Sequence, residues 1–292
     1  RACVGALQWL ATTARPDVAH STNMLARAAA KPVTKCMEKC ARNVMRYLIL
    51  TKEYCIEYSP DIEKKFYDEI NLLAEHEENV GKTNSEHLNK PVVNYGDASF
   101  GVTYVKLKSI TGISIYLHGC PVAWRSKVQT IFTGSTLESE WVAMSDGIEM
   151  NQSVYPLVHF LMGYEEKDNL SNDNPKSIHN TVAGPTLCDN RSAVIVARKG
   201  INRTEEIPRK SRHVALRFSK VLEIADKLMF CPTEKQKADG LTKSINQDAL
   251  RGLFSGNLPK VKLLSPEAEE LEKIDFRRFK DIKTYFNSII FP

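Results

Sequence analysis

The order of strand-like and helix-like segments after Pro91 constrains the fold more than any other feature of this sequence. Short apolar runs bounded by Gly and Pro predict strands, and apolar side chains at helical spacing predict helices. The predicted strands come first, at 92–97, 110–117, 122–125 and near Thr130. A long helix from about 136 follows, and then a strand at 186–189, helices at 191–199 and 213–226, a strand at 228–231 and a short helix from 233. Strands followed by alternating helices and strands indicate an α/β fold, in which helices flank a mixed sheet.

Residues 1–60 have a helical pattern instead, which predicts a small helical segment ahead of the sheet. A helix is expected before Pro16, a second one after it, and a third that Thr34 caps. Residues 54–58 alternate like a short strand. Residues 61–90 are dense in Glu, Lys, Asn and His, so they predict a charged linker or surface insertion with room for one short helix near its start.

Composition and charge exclude few functions. The net charge of +5 permits nucleic-acid binding without demonstrating it. No apolar run is long enough to cross a bilayer, so no membrane association is expected. The seven cysteines contain no CxxC pair, which favours a reducing intracellular compartment such as the cytoplasm, the nucleus or an organelle matrix. The chain starts at Arg1 rather than Met, inside an expected helix, so we expect a fragment or a processed product.

Two predicted strands end in an acidic residue. Asp97 ends the first strand of the sheet, and Asp189 ends a later strand immediately before a helix. A lone Asp at such a place is commonly a turn former or a helix cap. Ligand sites in sheets of this kind gather at the carboxyl ends of the strands, so the two acids together predict a site there.

The long helix supplies a third acid, and its spacing separates two candidates. Ser135 and Glu138 form a capping pattern, which gives Glu138 a structural role at the helix start. At about 100° per residue, Glu138 and Glu140 point to nearly opposite sides. Glu140 borders the apolar stripe that must face the sheet, so Glu140 is expected to reach the strand ends. Asp239, on the short last helix, is the fourth candidate, although on its own it would be interpreted as a solvated helix acid.

Four acids suit a site for two divalent cations. Two cations about 4 Å apart can activate an attacking water and stabilise the leaving oxygen of a phosphodiester. Mg²⁺ takes oxygen ligands, typically a few carboxylates together with phosphate and water. We therefore expect two Mg²⁺ or Mn²⁺ ions at Asp97, Glu140, Asp189 and Asp239. Without metal, mutual repulsion should raise the pKa of at least one of these carboxyl groups.

Around these acids the sequence resembles the RNase H domain of copia-type LTR-retrotransposon reverse transcriptases. The resemblance covers about 91–245, and its matching runs occur in the family's order and at similar spacing. They are YGDA at 95–98, SITG at 109–112, PVAWRSK at 121–127, STLESEW at 135–141, CDNRSA at 188–193, RHV at 212–214 and PTEKQKADGLTK at 232–243. The resemblance implies an RNase H-like fold with an Asp-Glu-Asp-Asp metal site, and each of those four acids is present.

The remaining segments are interpreted from the same resemblance. Residues 1–58 are similar to the segment that joins polymerase to RNase H, through GALQWL at 5–10, TARPDVA at 13–19 and VMRYL at 44–48. The paired aspartates of a polymerase site are missing, so this chain alone is not expected to synthesise DNA. The tail has no counterpart in the family, and its apolar helix face predicts a protein partner; that face carries Phe279, Ile282, Phe286 and Ile289. The predicted divisions are 1–60 (connection or thumb-like helices), 61–90 (linker or insertion), 91–245 (RNase H-like domain) and 246–292 (helical tail).

Several further residues are candidates for contacts with substrate. Trp124, Arg125 and Lys127 are expected to line a hybrid, because aromatic stacking and phosphate pairing suit a nuclease that reads the backbone. Trp124 fits a core position equally well. Asn190 is assigned to the same nucleic-acid surface. His213 matches a histidine of the family and is a candidate auxiliary group for product release, with helix capping or packing as the alternative.

The favoured function is a ribonuclease H that cuts the RNA strand of RNA–DNA hybrids by two-metal hydrolysis. The alternative is a domesticated, non-catalytic RNA-binding or scaffold subunit of a larger ribonucleoprotein, such as an organellar ribosome. The missing polymerase half and the unfamiliar tail favour the scaffold, whereas four clustered acids favour the enzyme. An integrase-like recombinase is a weaker third hypothesis. The expected partners are an RNA–DNA hybrid or structured RNA, and a protein bound through the C-terminal tail.

Overall fold

The structure is a computed structural model that describes residues 1–30, 32–101, 107–163, 182–200, 214–243 and 252–254. The candidate His213 and the predicted apolar face of the tail lie outside these residues. Across the described ranges, no helix is both long enough and apolar enough for a membrane crossing.

The described residues build one five-stranded mixed sheet. Its strands are β1 (Val92–Ser99), β2 (Ile110–Leu117), β3 (Cys120–Val128), β4 (Ala183–Cys188) and β5 (Leu228–Phe230). They lie in the order β3-β2-β1-β4-β5. The first three form an antiparallel meander, and β4 and β5 run parallel to β1. The mixed α/β fold predicted from the sequence is confirmed, and it is consistent with an RNase H-like fold. The run near Thr130 is not a strand, because β3 ends at Val128.

Helices cover both faces of this sheet. They are α1 (Ala2–Thr13), α2 (Ala19–Ala28), α3 (Lys35–Leu50), α4 (Pro60–Ala74), α5 (Thr136–Leu161), α6 (Arg191–Gly200) and α7 (Ala215–Leu222). Short 3-10 turns lie at Pro16–Val18, Ser85–His87, Ala225–Lys227, Thr233–Lys235 and Asp239–Leu241. The side chains of Thr34, Ser59 and Ser135 cap α3, α4 and α5, each accepting a hydrogen bond from a backbone N–H three residues later.

The predicted last helix is instead two 3-10 turns. The backbone is extended at Gln236, which separates the Thr233–Lys235 turn from the Asp239–Leu241 turn. The Gln236 side chain forms hydrogen bonds both to β1 and to the start of the second turn. Its amide donates to the carbonyl of Gly96 at 2.9 Å and accepts from the N–H of Ala238 at 3.2 Å. This contact fastens the second turn to β1.

Each face of the sheet has its own apolar core. Under α5, Trp141 is fully buried and lies against Phe218 of α7, with ring centroids 4.0 Å apart. On the opposite face, buried side chains of the N-terminal helices, including Leu7 and Leu48, belong to the same cluster as Tyr95 of β1. Residues 1–60 therefore pack directly on the sheet that they precede.

Residues 61–90 contain a helix near their start, as the sequence allowed, but this helix packs in the core instead of lying in a surface linker. The helix α4 occupies half of this segment, and Phe66, Ile70 and Leu73 are buried in the core beside the sheet. The ring of Phe66 stacks on that of Tyr116 with centroids 5.7 Å apart. These apolar positions recur at helical spacing, but the charged residues between them dominate the composition, which is why the segment was predicted to lie outside the core.

The loop after α4 is held by Arg198 of α6. The guanidinium donates to the carbonyls of Glu78 and Leu228 and to Oδ1 of Asn79, which in turn accepts from the N–H of Phe230.

Residues 54–58, which were predicted as a strand, do not form one. Instead, the buried ring of Tyr54 meets Phe254 edge-on, 5.9 Å away.

Candidate metal centre

Asp97 lies near the end of β1, the central strand. It is paired with Gly112 of β2, and it is only 4% exposed. The hydroxyl of Thr242 donates a short hydrogen bond to Oδ2 of Asp97. The carboxyl group is therefore buried against the turn that carries Asp239.

Asp189 directly follows β4, the parallel neighbour of β1, so both strands bring their acids to the same edge of the sheet. Asp189 does not cap α6. That role belongs to Asn190, whose Oδ1 accepts from the N–H of Ala193 at 3.0 Å. The carboxylate of Asp189 instead accepts a hydrogen bond from the hydroxyl of Thr233 at 2.9 Å. Asn190 is a candidate for contact with nucleic acid, and its side-chain oxygen already accepts a hydrogen bond within the protein.

The two acids of α5 separate as the helical spacing predicted. Glu140 is 4% exposed, and its Oε2 lies 3.6 Å from the Sγ of Cys188 at the end of β4. Glu138 remains at the helix start, where its Oε2 accepts from the N–H of Gly134 at 2.7 Å. Its own N–H donates to the hydroxyl of Ser135 at 3.2 Å. Glu140 is therefore the acid of this helix that faces the strand ends.

Asp239 reaches the cluster because its turn packs very closely on β2. A Cβ at Gly112 would lie 2.7 Å from Cγ2 of Thr242 and 2.8 Å from the carbonyl oxygen of Ala238. Only glycine leaves that space, which gives the SITG run a physical role that the sequence alone did not reveal. The carboxylate of Asp239 also forms an ion pair with Lys243, at 2.5 Å.

The four predicted acids converge in two overlapping groups. Asp97, Asp189 and Asp239 each offer a carboxylate oxygen, and these oxygens lie within 4.8 Å of one another. The ligand atoms of Glu140, Cys188 and Asp189 form a second group, and they also lie within 4.8 Å of one another. Asp189 therefore belongs to both groups. Carboxylate oxygens at this spacing fit hard divalent cations, and the residues present could bind a metal.

Burial is the main influence on the ionisation of these acids. It raises the pKa of Asp97 to about 7, with a further increase from the charge of Asp189 and a decrease from the Thr242 hydrogen bond. The pKa of Glu140 is also raised, first by burial and then by Asp97 and Asp189. Burial likewise raises the pKa of Asp189, against the lowering effect of the Thr233 hydrogen bond. Repulsion between the carboxylates was expected to raise these pKa values, and it does so, but burial has the larger effect.

Lys243 was missed as a member of the site. Burial lowers the pKa of its ammonium group, but the hydrogen bond to Asp239 and the charges of Asp239, Asp97 and Asp189 raise it above its usual value. This positive charge offsets part of the repulsion within the cluster. The signal was present in the sequence, because Lys243 follows Asp239 by four residues within the ADGLTK run.

The predicted nucleic-acid residues of β3 do not share one face. The Nε1 of Trp124 donates to the carbonyl of Ala11 at 2.6 Å, and its ring packs against the core of the N-terminal helices. Trp124 is thus partly buried at the border of that core. Arg125 and Lys127 are exposed and lie on the opposite face, where both act on the carboxyl of Asp146. Burial raises the pKa of Asp146, and nearby cations, these two included, lower it.

Comparisons with known proteins identify relatives of low identity. The retrovirus-related Pol polyprotein from transposon TNT 1-94 of Nicotiana tabacum is 22% identical over 249 residues, which is 83% of this chain. A putative transposon Ty5-1 protein of Saccharomyces cerevisiae is 27% identical over 146 residues, or 50% of the chain. The chain is similar to retrotransposon Pol polyproteins. This similarity supports a retrotransposon-derived protein.

The matched regions are parts of longer proteins. They span 15% of the tobacco polyprotein and 39% of the yeast protein. A third relative, the secreted RxLR effector protein 161 of Plasmopara viticola, is 27% identical over 146 residues, which cover 84% of its length. No protein-family model matches the chain. No solved structure matches it either.

Proposed function

We propose that this chain is a ribonuclease H that hydrolyses the RNA strand of RNA–DNA hybrids. The convergence of Asp97, Glu140, Asp189 and Asp239 at one edge of the sheet is the observation that carries the proposal. Their elements come from four distant parts of the sequence, so the cluster does not follow from local structure. Similarity to retrotransposon Pol polyproteins agrees with a nuclease of this origin at a coarse level.

Two bound Mg²⁺ ions would supply an activated water and stabilisation of the leaving oxygen. The role of the protein is to supply the carboxylate ligands and to hold them in position. Asp97, Glu140, Asp189 and Asp239 would hold these cations through their carboxylate oxygens. The hydroxyls of Thr242 and Thr233 hold Asp97 and Asp189, and both hydrogen bonds favour the ionised carboxylate that a cation requires.

The substrate class is proposed from the exposed cations of the edge strand. Arg125 and Lys127 lie on β3, the edge strand. The register aligns Asp97 with Gly112 and Gly112 with Ser126, so both cations project from the face of the sheet opposite to the Asp97 side chain. From there they can contact phosphates of a duplex that passes along this edge of the sheet. Neither side chain is buried, and phosphate contacts of this kind position a duplex without reading its sequence.

A second candidate function is a non-catalytic RNA-binding or scaffold subunit in a larger ribonucleoprotein. The ion pair between Lys243 and Asp239 favours this second function, because a lysine of the protein itself offsets part of the negative charge of the acids when no metal is bound. Under this alternative the cluster is a remnant that is stable as it stands. Metal binding separates the two candidates, since only the enzyme has a use for it.

The deciding experiment is cleavage of an end-labelled RNA–DNA hybrid with Mg²⁺ or Mn²⁺. We expect cleavage within the hybrid by the wild type and a loss of at least a hundredfold in Asp97→Asn and Asp189→Asn, which keep the shape but remove the charge that binds the cation. Glu53→Gln is the matched control, because this acid lies outside the cluster and its side chain is 79% exposed. Wild-type cleavage by Asp97→Asn would refute the site, and no cleavage by the wild type would favour the scaffold.

A further inference from the structure

Cys188 is the last residue of β4 and is completely buried beside the acid cluster. Its Sγ lies 3.6 Å from Oε2 of Glu140, and a carboxylate oxygen of the adjacent Asp189 completes a group within 4.8 Å. The proposed hydrolysis does not use a thiol, since Mg²⁺ takes oxygen ligands. The thiol donates a hydrogen bond to Glu140, and after loss of that proton its sulfur becomes a ligand for a thiophilic cation.

The separation of sulfur and oxygen matches the bite of a tetrahedral zinc site. Zinc binds sulfur at about 2.3 Å and carboxylate oxygen at about 2.0–2.2 Å, and a tetrahedral angle between the two bonds places sulfur and oxygen about 3.5 Å apart. The distance between Cys188 and Glu140 is 3.6 Å. A cation could thus bind both atoms with little movement of either side chain, and Asp189 is near enough to be the third ligand.

We propose that Glu140, Cys188 and Asp189 form a binding site for a thiophilic divalent cation, Zn²⁺ or Cd²⁺. Binding there engages Glu140 and Asp189, so such a cation inhibits the cleavage that Mg²⁺ supports; this consequence rests on the proposed function. Thiolate ligands select zinc-like cations over magnesium. The thiol releases its proton to solvent when the metal–sulfur bond forms.

The other buried thiols differ from Cys188 in the acceptor of their hydrogen bond. Cys188 donates to the carboxylate of Glu140, whereas Cys120 donates to the carbonyl of Glu57 at 3.2 Å and Cys231 to the carbonyl of Pro232 at 3.5 Å. Within the described part of the chain, neither belongs to a group of three metal-ligating side chains. Cys120 therefore provides a matched control for a buried thiol without carboxylates.

The test is direct binding of Cd²⁺, followed by the ultraviolet charge-transfer absorption of the cadmium–thiolate bond. Cys36, Cys40 and Cys55 are exposed, Cys3 is partly exposed, and all four would bind Cd²⁺ themselves, so the background protein carries Ser at these four positions. In this background we expect Cd²⁺ to produce the absorption band. Adding Cys188→Ser should remove it, whereas adding Cys120→Ser should leave it unchanged. Circular dichroism establishes that each variant is folded.

A second variant protects the test against misfolding of Cys188→Ser. Glu140→Gln keeps the thiol and removes one oxygen ligand, so it should weaken Cd²⁺ binding roughly tenfold or more. A band that survives Cys188→Ser, or that is missing from the background protein, overturns the proposal. Hybrid cleavage with Mg²⁺ separates the two hypotheses: cleavage without the band refutes only this site, and the band without cleavage refutes only the nuclease.

Discussion

The hydroxyl of Thr242 donates its hydrogen bond to Asp97, a residue 145 positions earlier in the chain. This bond joins the turn that carries Asp239 to the strand that carries Asp97. It also opposes the effect of burial, which raises the pKa of Asp97 to about 7. One hydroxyl thus influences both the position and the ionisation of the candidate ligands.

Removal of this hydroxyl tests its effect on ionisation. In Thr242→Val the pKa of Asp97 should rise further above 7, because the hydrogen bond that lowers it is lost. The pH at which Mn²⁺ binding reaches half its maximum should therefore move upward. Thr242→Ser keeps the hydroxyl and should behave like the wild type. An unchanged pH dependence in the valine variant would contradict the assigned role.

Stability of the metal-free protein should fall as the pH rises. The pKa of Asp97 is about 7 in the folded protein, whereas the usual value of 3.8 applies to the unfolded chain. Between these pH values the folded state therefore holds a proton that the unfolded state has lost. The contribution of Asp97 to stability is therefore fully present below about pH 4 and is lost progressively up to about pH 7, by up to about 4 kcal/mol. Thermal unfolding in EDTA measures the decline. Asp97→Asn should make it shallower, and Mg²⁺ should oppose it because a cation binds the ionised form.

Gly112→Ala tests the close packing of the Asp239 turn. The added Cβ would lie under 3 Å from Thr242 and Ala238, so the turn must move. We expect a loss of about 1–3 kcal/mol in the free energy of unfolding and weaker Mn²⁺ binding. Gly5→Ala is the control, since a Cβ at Gly5 of α1 meets no atom within 4 Å and should be neutral or slightly stabilising. Equal metal affinity in both variants would show that the turn is not needed.

The exposed cations of β3 should act on substrate binding and leave the chemical step unaffected. Arg125→Ala and Lys127→Ala should raise KM for a hybrid with little change in kcat, and each should reduce the salt dependence of binding by the equivalent of about one phosphate contact. Lys52→Ala is the control, because its side chain is 64% exposed and lies on the N-terminal helical segment. A fall in kcat with unchanged KM would be inconsistent with this role.

The placement of some site residues could be predicted from the sequence because it depends on local geometry. The alternation of side chains along a strand and the 100° step of a helix place Asp97, Asp189 and Glu140, and they separate Glu140 from Glu138. The capping of α5 by Ser135 is local as well. Such features require only a few neighbouring residues, so the pattern in the sequence predicts them correctly.

Other features depend on contacts between distant parts of the chain. The charged segment 61–90 contains a core helix, because Tyr116 and its neighbours provide an apolar surface for Phe66. The ring of Trp124 turns inward because the carbonyl of Ala11 is there to accept its N–H. Neither partner can be inferred from the residues nearby in sequence.

The sequence by itself thus determined the α/β order of elements and the acids at the strand ends, since backbone periodicity and strand direction are local properties. The tertiary structure alone decided that Asp239 joins them and that Cys188 faces Glu140. The physical reason is packing: these groups meet because Gly112 lets a remote turn contact the sheet and because α5 packs mainly on β1 and β2 and also contacts β4.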